Sequence, residues 1–240
     1  MKILILAFLF CSQVIFAQEF ELSKVIGKDD RTEVTNTERL PYKMIGQLIY
    51  KRDGRSYRCT GSLIGPKHVL TAGHCLIQDG IKSTDIYFIP GKNGKKEPYG
   101  KYKYAYTRIP SEYEEKRNIY YDYGVVVLEE KAGDKLGYFE FDTYNMDKPK
   151  ININGYPGDK SSGTVWHSYC SVIKEYERIF THDCDTYNGE SGAAAYLWNG
   201  TNRIIYGIHT GSYGSYNRAT MINGEVFERL NDWVFECEDD

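Results

Sequence analysis

Short apolar runs alternate with turn-forming residues over most of this chain. In the first half, the runs rich in β-branched and aromatic residues are Met44–Tyr50, Cys59–Ile64, His68–Thr71 and Tyr123–Leu128. The sequences Asp53-Gly54 and Lys92-Asn93-Gly94 interrupt this half. Apolar runs of this kind, bounded by Gly, Asn and Asp, predict β-strands joined by tight turns.

A second set of strands is predicted in the other half of the chain. Its runs are Ile151–Gly155, Gly163–Trp166, Ala193–Trp198 and Arg203–His209. Asn199-Gly200 lies between the last two and is a strong hairpin signal. The segment Lys131–Lys148 between the two sets has little periodic pattern, which favours two groups of antiparallel strands over one sandwich.

The last predicted element is a helix. Val226, Phe227, Leu230, Trp233 and Val234 fall on one helical face, and Asn223 precedes them as a candidate N-cap. We interpret this apolar stripe as core packing. The predicted fold is therefore all-β, with two small antiparallel barrels over about residues 40–130 and 148–222 and a C-terminal helix over about 223–235.

Composition agrees with this fold and narrows the possible partners. The 240 residues include 22 Tyr and 23 Gly, which favour strands and tight turns over a helical protein. The net charge of −3 gives no electrostatic reason to expect binding to nucleic acid or to an anionic membrane.

The N-terminus has the pattern of a secretory signal over residues 1–17. Lys2 supplies the positive end, Ile3–Phe10 is an unbroken apolar run, and Ala17 is small enough to precede a cleavage site. The run is too short to span a bilayer. A lipoprotein signal at Cys11 is the alternative, although the bulky Phe10 before it argues against this. The polar residues 18–24 are then a short propeptide, and we expect the mature protein to be secreted.

Secretion permits disulfides, and five cysteines remain after the signal. Cys59 and Cys75 flank a predicted strand pair that leads into His74, so we expect them to be bonded. Cys170 and Cys184 enclose a short loop before Ser191, and we pair these as well. Cys237 is left unpaired near a polar C-terminal tail.

Three separated motifs supply the parts of a nucleophilic triad. His74 lies in Thr71–Cys75, Asp122 in Tyr121–Gly124, and Ser191 in Gly189–Gly192. The chain order His, Asp, Ser is one of the known triad orders. A serine hydroxyl needs a nearby base to accept its proton, and histidine suits this role because its pKa is close to neutral pH. A buried carboxylate then fixes the ring tautomer and stabilises the imidazolium.

The glycines beside Ser191 suit an oxyanion hole. The N–H groups of Gly189 and Ser191 are expected to point at the developing oxyanion, and a glycine allows the turn that this requires. A zinc site at His68, His74 and Cys75 is the competing interpretation, but the spacing fits neither a zinc finger nor a helical two-histidine site. We predict no metal and no cofactor, and we assign His68, His167 and His182 structural or surface roles.

The chain resembles the chymotrypsin-like serine proteases, and most closely their secreted bacterial glutamyl endopeptidase branch. The resembling stretches are Val25–Gly27, Asp29–Arg31, Val34–Thr37, Pro41-Tyr42, Cys59–Gly61, Ile64–Lys67, Thr71–Cys75, Tyr121–Gly124, Gly155–Lys160, Asp185–Tyr187, Gly189–Gly192, His209-Thr210 and Ser215–Arg218. This resemblance implies two six-stranded barrels over residues 25–240 and a monomeric endopeptidase that hydrolyses polypeptides through an acyl-enzyme.

The resemblance also implies where specificity is set. In this branch a pocket histidine and a hydroxyl five residues before the nucleophile bind the substrate glutamate, and the matching positions are His209 and Thr186. Cleavage after Glu, and less well after Asp, is therefore expected. Asp185 lies six residues before Ser191, where trypsin-type enzymes place the carboxylate that selects Lys and Arg. Trypsin-like cleavage is the alternative that Asp185 leaves open, and an inactive protease-like binding module is a more distant one.

Two departures from the family pattern surround the nucleophile. Glu190 stands where trypsin-type enzymes have Asp, and Ala193-Ala194 replace the usual Ser-Pro. Glu190 suggests an activation hypothesis, in which cleavage after Lys24 frees the amino group of Val25. That ammonium would pair with Glu190 or would contact the substrate carboxylate.

Overall fold

The structure is a computed structural model that describes residues 23–198 and 200–235. The signal at residues 1–17, the alternative lipoprotein site at Cys11, most of the propeptide, Asn199 of the predicted hairpin and Cys237 lie outside the described residues.

The first barrel is a closed ring of six antiparallel strands. In ring order its strands are β2 (Ile45–Arg52), β3 (Arg55–Leu63), β4 (His68–Thr71), β9 (Gly124–Leu128), β8 (Tyr102–Arg108) and β7 (Thr84–Pro90). Asp53 and Gly54 both have positive φ and form the predicted tight turn between β2 and β3. The interior is filled by aliphatic and aromatic side chains, among them Leu48, Leu63, Val69, Phe88 and Val126.

The second barrel is also a closed ring of six strands. In ring order these are β11 (Lys150–Gly155), β14 (Ala194–Trp198), β15 (Arg203–Tyr213), β16 (Tyr216–Met221), β13 (Ile179–His182) and β12 (Val165–Glu175), and the pairing of β12 with β13 closes the ring. β1 (Thr32–Val34) pairs with β12 although it precedes the first barrel, and β10 (Glu140–Phe141) runs parallel to β15. The N-terminal segment therefore packs on the second barrel, close to residues that follow it by more than 100 positions.

Short strands and helices lie in the connections between the barrel strands. A two-stranded ribbon consists of β5 (Ile77–Gln78) and β6 (Ile81–Lys82), and two 3-10 helices lie at Tyr42–Met44 and Ile119–Tyr121. Three one-turn helices, which the sequence pattern did not predict, are α1 (Gly73–Leu76), α2 (Ser111–Glu114) and α3 (Ala132–Leu136). The linking segment over residues 131–148 holds α3 and β10 and buries Leu136, Phe139 and Tyr144.

The C-terminal helix is α4 (Gly224–Phe235). The side-chain oxygen of Asn223 accepts a hydrogen bond from the Val226 N–H at 3.0 Å, which is the predicted N-cap contact. Val226, Leu230 and Val234 are buried in the same apolar cluster as the first barrel. The helix therefore packs against the first barrel, although it follows the last strand of the second barrel in sequence.

The described residues form two disulfides: Cys59–Cys75 joins β3 to α1, and Cys170–Cys184 joins β12 to the segment that follows β13. Both are the predicted pairs. No helix within the described part of the chain is long and apolar enough to span a bilayer.

Candidate active site

His74 and Asp122 meet on the first barrel. β4 delivers the chain into α1, whose second residue is His74, and Asp122 lies between the 3-10 helix Ile119–Tyr121 and β9. His74 Nδ1 lies 2.9 Å from Asp122 Oδ2, and the His74 N–H donates to Oδ1 at 2.9 Å. Asp122 is fully buried. An ionised carboxylate can only accept, so Nδ1 carries the proton and the basic lone pair is on Nε2.

Ser191 lies in a turn of the second barrel that packs directly on the first. The Thr60 N–H donates to the Ser191 carbonyl at 2.9 Å. Gly192 has a φ of +85°, and a Cβ there would lie 2.1 Å from Thr71 Oγ1 and 2.9 Å from the Ala72 nitrogen. Only glycine fits this approach. It holds the Ser191 turn of the second barrel against the chain two residues before His74 of the first barrel.

The backbone before Ser191 is held in an open turn. Gly189 has a φ of +104°, and a Cβ there would lie 2.5 Å from the Tyr156 carbonyl oxygen. The Gly189 carbonyl accepts a hydrogen bond from Thr60 Oγ1 at 2.9 Å. Within residues 23–198 and 200–235, the N–H groups of Gly189 and Ser191 donate no hydrogen bond. Two backbone donors beside the Ser191 side chain are thus available to an incoming oxygen.

A buried arginine lies behind Asp122. Arg218 on β16 places a terminal guanidinium nitrogen 4.0 Å from Asp122 Oδ2 and donates from Nε to Thr210 Oγ1 at 3.3 Å. Thr220 Oγ1 donates to the Asp122 carbonyl at 3.3 Å. The second barrel therefore places a positive charge near the Asp122 carboxylate and a hydroxyl on the Asp122 backbone carbonyl, and the sequence motifs alone did not indicate this.

Thr186 and His209 of the second barrel lie beside residues 23 and 24 of the N-terminal segment, and we call this region the pocket of the second barrel. Both side chains are fully buried, and Thr186 Oγ1 has no hydrogen-bond partner in the described part of the chain. His209 Nδ1 lies 3.3 Å from Nε2 of His182, which we expected to be structural or at the surface. Burial lowers the pKa of His182 to about 3, and burial together with the neighbouring His182 lowers the pKa of His209 well below its usual value. Burial therefore favours the neutral form of both rings.

The N-terminal segment occupies this pocket. Ser23 Oγ lies 2.8 Å from His209 Nε2. The next residue, Lys24, donates its N–H to Asn217 Oδ1 at 2.9 Å, and its carbonyl accepts from Asn217 Nδ2 and from the Thr186 N–H. Ser23 and Asn217 belong to no motif that defines the triad, so sequence reasoning missed their part in the pocket.

Asp185 turns its carboxylate towards the backbone of the N-terminal segment. Its two oxygens accept from the Ile26 N–H at 2.6 Å and from the Asp30 N–H at 2.9 Å, and the residue is almost fully buried. Val25, between Lys24 and Ile26, is half-buried. The Asp185 carboxylate is therefore engaged with the main chain of residues 26–30.

Glu190 is buried beside the nucleophile, and its carboxylate accepts from the Tyr187 N–H and from Arg31. In the described chain, residues 23 and 24 still precede Val25, and the Glu190 carboxylate contacts Tyr187 and Arg31. The pairing of Glu190 with a free Val25 ammonium stays a prediction for the processed chain.

The described residues offer two groupings with metal-ligand potential, Cys59–His74–Cys75 and Cys170–His182–Cys184. In each grouping the two cysteines form a disulfide with one another. Their sulfurs are therefore not available as thiolate ligands.

Comparisons with known proteins agree on the family of this chain. The trypsin family profile matches residues 32–234. The chain is 39% identical over 227 residues to a glutamyl endopeptidase of Bacillus licheniformis, covering 89% of this chain and 70% of the relative. It is 32% identical to a protein of Bacillus subtilis named extracellular metalloprotease, covering 90% of this chain and 72% of the relative. A solved Glu endopeptidase in complex with MPD superposes with a TM-score of 0.79 at 31% identity, covering 86% of this chain and 97% of that structure.

Proposed function

The chain belongs to the trypsin family and is a serine endopeptidase, and we propose that it is secreted and cleaves after glutamate, less well after aspartate, through an acyl-enzyme. The observation that carries the specificity is that a fully buried Thr186, whose hydroxyl has no partner in the described chain, and a fully buried His209 lie beside two consecutive residues of the N-terminal segment. A buried hydroxyl without a partner is costly unless a ligand satisfies it.

In the proposed mechanism, Ser191 Oγ attacks the scissile carbonyl while His74 Nε2 accepts its proton. Asp122, bonded to Nδ1, holds the ring and stabilises the imidazolium that forms. The Gly189 and Ser191 N–H groups receive the oxyanion of the tetrahedral intermediate. His74 then returns the proton to the departing amine. In the second half of the reaction, His74 accepts a proton from the attacking water and returns it to Ser191 Oγ as the acyl-enzyme is hydrolysed.

The pocket chemistry favours a carboxylate over a cation. If His182 donates to His209 Nδ1, the proton of His209 is on Nε2, where it can be donated to a ligand oxygen. The Thr186 hydroxyl supplies a second donor. A substrate carboxylate at this position would also raise the pKa of His209 and favour the imidazolium, which strengthens the hydrogen bond.

The alternative specificity for Lys and Arg rests on Asp185. Both oxygens of Asp185 already accept backbone hydrogen bonds from residues 26 and 30. To select a cationic side chain, this carboxylate would have to release those contacts. The geometry therefore supports His209 and Thr186 as the specificity residues, with Asp185 as an anchor for the N-terminal segment.

Processing of the N-terminal segment is part of this proposal. Ser23 Oγ takes the position on His209 that a substrate carboxylate oxygen would take, so the intact segment competes with substrate. Removal of residues up to Lys24 would vacate the pocket and leave the Val25 ammonium at its edge. That positive charge would then contribute to binding of the glutamate carboxylate.

The deciding experiment is digestion of a mixed peptide library by the mature protein, with the cleavage sites determined by mass spectrometry. Cuts after Glu are the expected result, whereas cuts after Lys or Arg would reassign specificity to Asp185. Ser191→Ala protein is the control and should produce no cuts. A fluorophosphonate probe should label the wild type and leave Ser191→Ala unlabelled; a wild type that fails to label would instead be an inactive binding module.

A further inference from the structure

A cluster of five charged side chains lies next to the nucleophile turn and has no part in the triad or the pocket. Its members are Asp29, Arg31, Asp159, Lys160 and Glu190. They come from the N-terminal segment, from the loop after β11 and from the nucleophile turn itself. Two stretches that carry the family resemblance, residues 29–31 and 155–160, therefore meet around Glu190.

Arg31 is the centre of this cluster. Its guanidinium is fully buried and forms a two-pronged contact with Asp29, at 2.9 Å from Nε and 2.8 Å from a terminal nitrogen. The same side chain bonds both oxygens of Asp159, and Nη1, one of the two nitrogens that do so, also lies 3.4 Å from Glu190 Oε2. A planar guanidinium can serve three carboxylates at once, whereas an ammonium cannot span this fork geometry.

Glu190 joins the cluster to the backbone that surrounds Ser191. Its Oε2 accepts from the Tyr187 N–H at 2.8 Å, and its own N–H donates to the Tyr187 carbonyl at 3.0 Å. Its carbonyl accepts from the Ala193 N–H at 2.9 Å. The Ser191 N–H belongs to the peptide unit that follows Glu190, and the Gly189 N–H lies within the turn that the Tyr187–Glu190 contacts close. Loss of the Glu190 side-chain contacts would therefore loosen the turn that carries both donors.

A buried carboxylate at this position needs a cation. Desolvation raises the pKa of Glu190, and the Arg31 guanidinium is the largest opposing effect, so Arg31 favours the carboxylate form. The guanidinium in turn has its pKa raised by Asp29 and Asp159, so its charge is permanent at any working pH.

We propose that Arg31 is a positioning residue for the oxyanion hole, because it neutralises Glu190 from within the folded chain and holds the turn over residues 187–191 in its active shape. In this arrangement the N-terminal ammonium is not needed to form the oxyanion hole. Processing of the N-terminus then controls only the specificity pocket, where Ser23 contacts His209. This inference rests on the proposed catalytic roles of Gly189 and Ser191.

The test is a double-mutant cycle with Arg31→Gln and Glu190→Gln, measured as kcat and KM on one peptide substrate that the wild type cleaves. Arg31→Gln leaves a buried carboxylate without its cation and should lower kcat about 10²- to 10³-fold, the range for loss of an oxyanion donor, with KM within about threefold. Glu190→Gln keeps an oxygen acceptor for the Tyr187 N–H and removes the charge. The double variant should therefore recover kcat to within about tenfold of the wild type.

Lys160→Gln is the matched control within the same cluster. Lys160 bonds Asp29 at 2.7 Å and lies over the Trp166 ring, without contact to Glu190. Its removal should leave kcat within about twofold. Affinity for a peptide boronate, which forms a tetrahedral adduct, should fall in parallel with kcat in Arg31→Gln, and thermal unfolding of each variant reports whether it folds.

Three outcomes would overturn the inference: an unchanged kcat in folded Arg31→Gln, a loss confined to KM, or a loss in Arg31→Gln that Glu190→Gln does not restore. The last result would make Arg31 an anchor of the N-terminal segment alone. Wild-type protein that neither cleaves peptides nor labels with fluorophosphonate would instead overturn the proposed function. Cleavage after a residue other than Glu would correct the specificity and leave this cycle valid.

Discussion

The two barrels have the same strand number but very different interiors. The first is filled by an apolar cluster, in which buried Leu, Ile, Val and Phe side chains dominate. The second has a smaller apolar cluster and many buried polar side chains, including Asn154, Thr181, His182, Asp185, Thr186, Glu190, His209, Asn217 and Arg218. Burying a polar group is costly unless it is hydrogen-bonded. The stability of the second barrel therefore depends more on hydrogen-bond networks, and the stability of the first depends more on apolar packing.

This difference matches the catalytic and binding roles that we propose for the two barrels. The first presents His74 and Asp122 from a rigid apolar scaffold, so the base and its carboxylate are held by packing. In the proposed function, the second barrel recognises a glutamate side chain and stabilises an oxyanion, and both tasks need oriented dipoles in a water-poor site. We expect substitutions in the first barrel to act on chemistry or on global stability. Substitutions in the second should act on binding and on local order.

The largest effect is expected from the base and its carboxylate in the first barrel. Asp122→Asn should lower kcat by about 10⁴-fold because the amide stabilises the wrong His74 tautomer, and His74→Ala should be at least as damaging. Steady-state hydrolysis of a chromogenic peptide measures both. Asp122→Asn activity within tenfold of wild type would refute the assigned role of this carboxylate.

The two disulfides test the comparison at nearly equal loop length, with separations of 16 and 14 residues. Replacing either pair by alanine should lower the free energy of unfolding by about 3 kcal/mol, as measured in urea. Activity should separate them. Cys75 follows His74 directly, so loss of Cys59–Cys75 should lower kcat. Cys170 and Cys184 lie near His182 under the pocket, and their loss should raise KM.

If both disulfide variants change kcat and KM alike, the proposed separation between a catalytic barrel and a binding barrel is wrong.

A pocket substitution in the second barrel should act on specificity alone. Thr186→Val removes a buried donor and should lower kcat/KM for a P1 Glu substrate about 10²-fold, with a much smaller change for a neutral P1 residue. Thr181→Val is the matched control, because Thr181 is also a buried threonine of this barrel but bonds the Lys174 carbonyl. Equal losses in the two variants would point to general destabilisation.

The smallest effect concerns an exception in the apolar barrel. His68 on β4 is buried, and neither ring nitrogen has a hydrogen-bond partner in the described chain. Burial lowers its pKa to about 4. The unfolded chain therefore binds more protons between pH 6.5 and 4, so the free energy of unfolding should fall as the pH drops through this window. His68→Leu should remove about 2 kcal/mol of that fall.

Urea unfolding of wild type and His68→Leu at pH 7 and pH 4 measures this difference. Parallel pH dependence in the two proteins would show that His68 is not the group responsible.

The elements that the sequence predicted well are those with local signatures. β4 matches the predicted run over residues 68–71, the Asp53-Gly54 turn connects β2 to β3, and Asn223 caps α4. The strands that it did not identify, such as β8 and β13, have polar or short sequences. Their strand character comes from pairing with neighbours on both sides, which no local window contains.

The candidate site divides in the same way. The proposed triad residues were chosen from short motifs, because each role needs a particular residue type with particular neighbours. The order of these motifs can be read directly from the sequence. The contact of His182 with His209 was not foreseen, because the two residues are 27 positions apart and the burial of His182 depends on how β13 closes the second barrel.

Local sequence was thus sufficient for the fold class and the disulfide pairs, and it is the basis on which the nucleophile and the base are proposed. Long-range packing was required to learn that Asp185 faces the backbone of residues 26–30, that Ser23 contacts His209, and that Arg31 reaches Glu190. Each of these contacts joins residues more than 150 positions apart. The direction of a buried charged side chain is chosen by the partner that offsets its desolvation, and that partner is known only once the chain has folded.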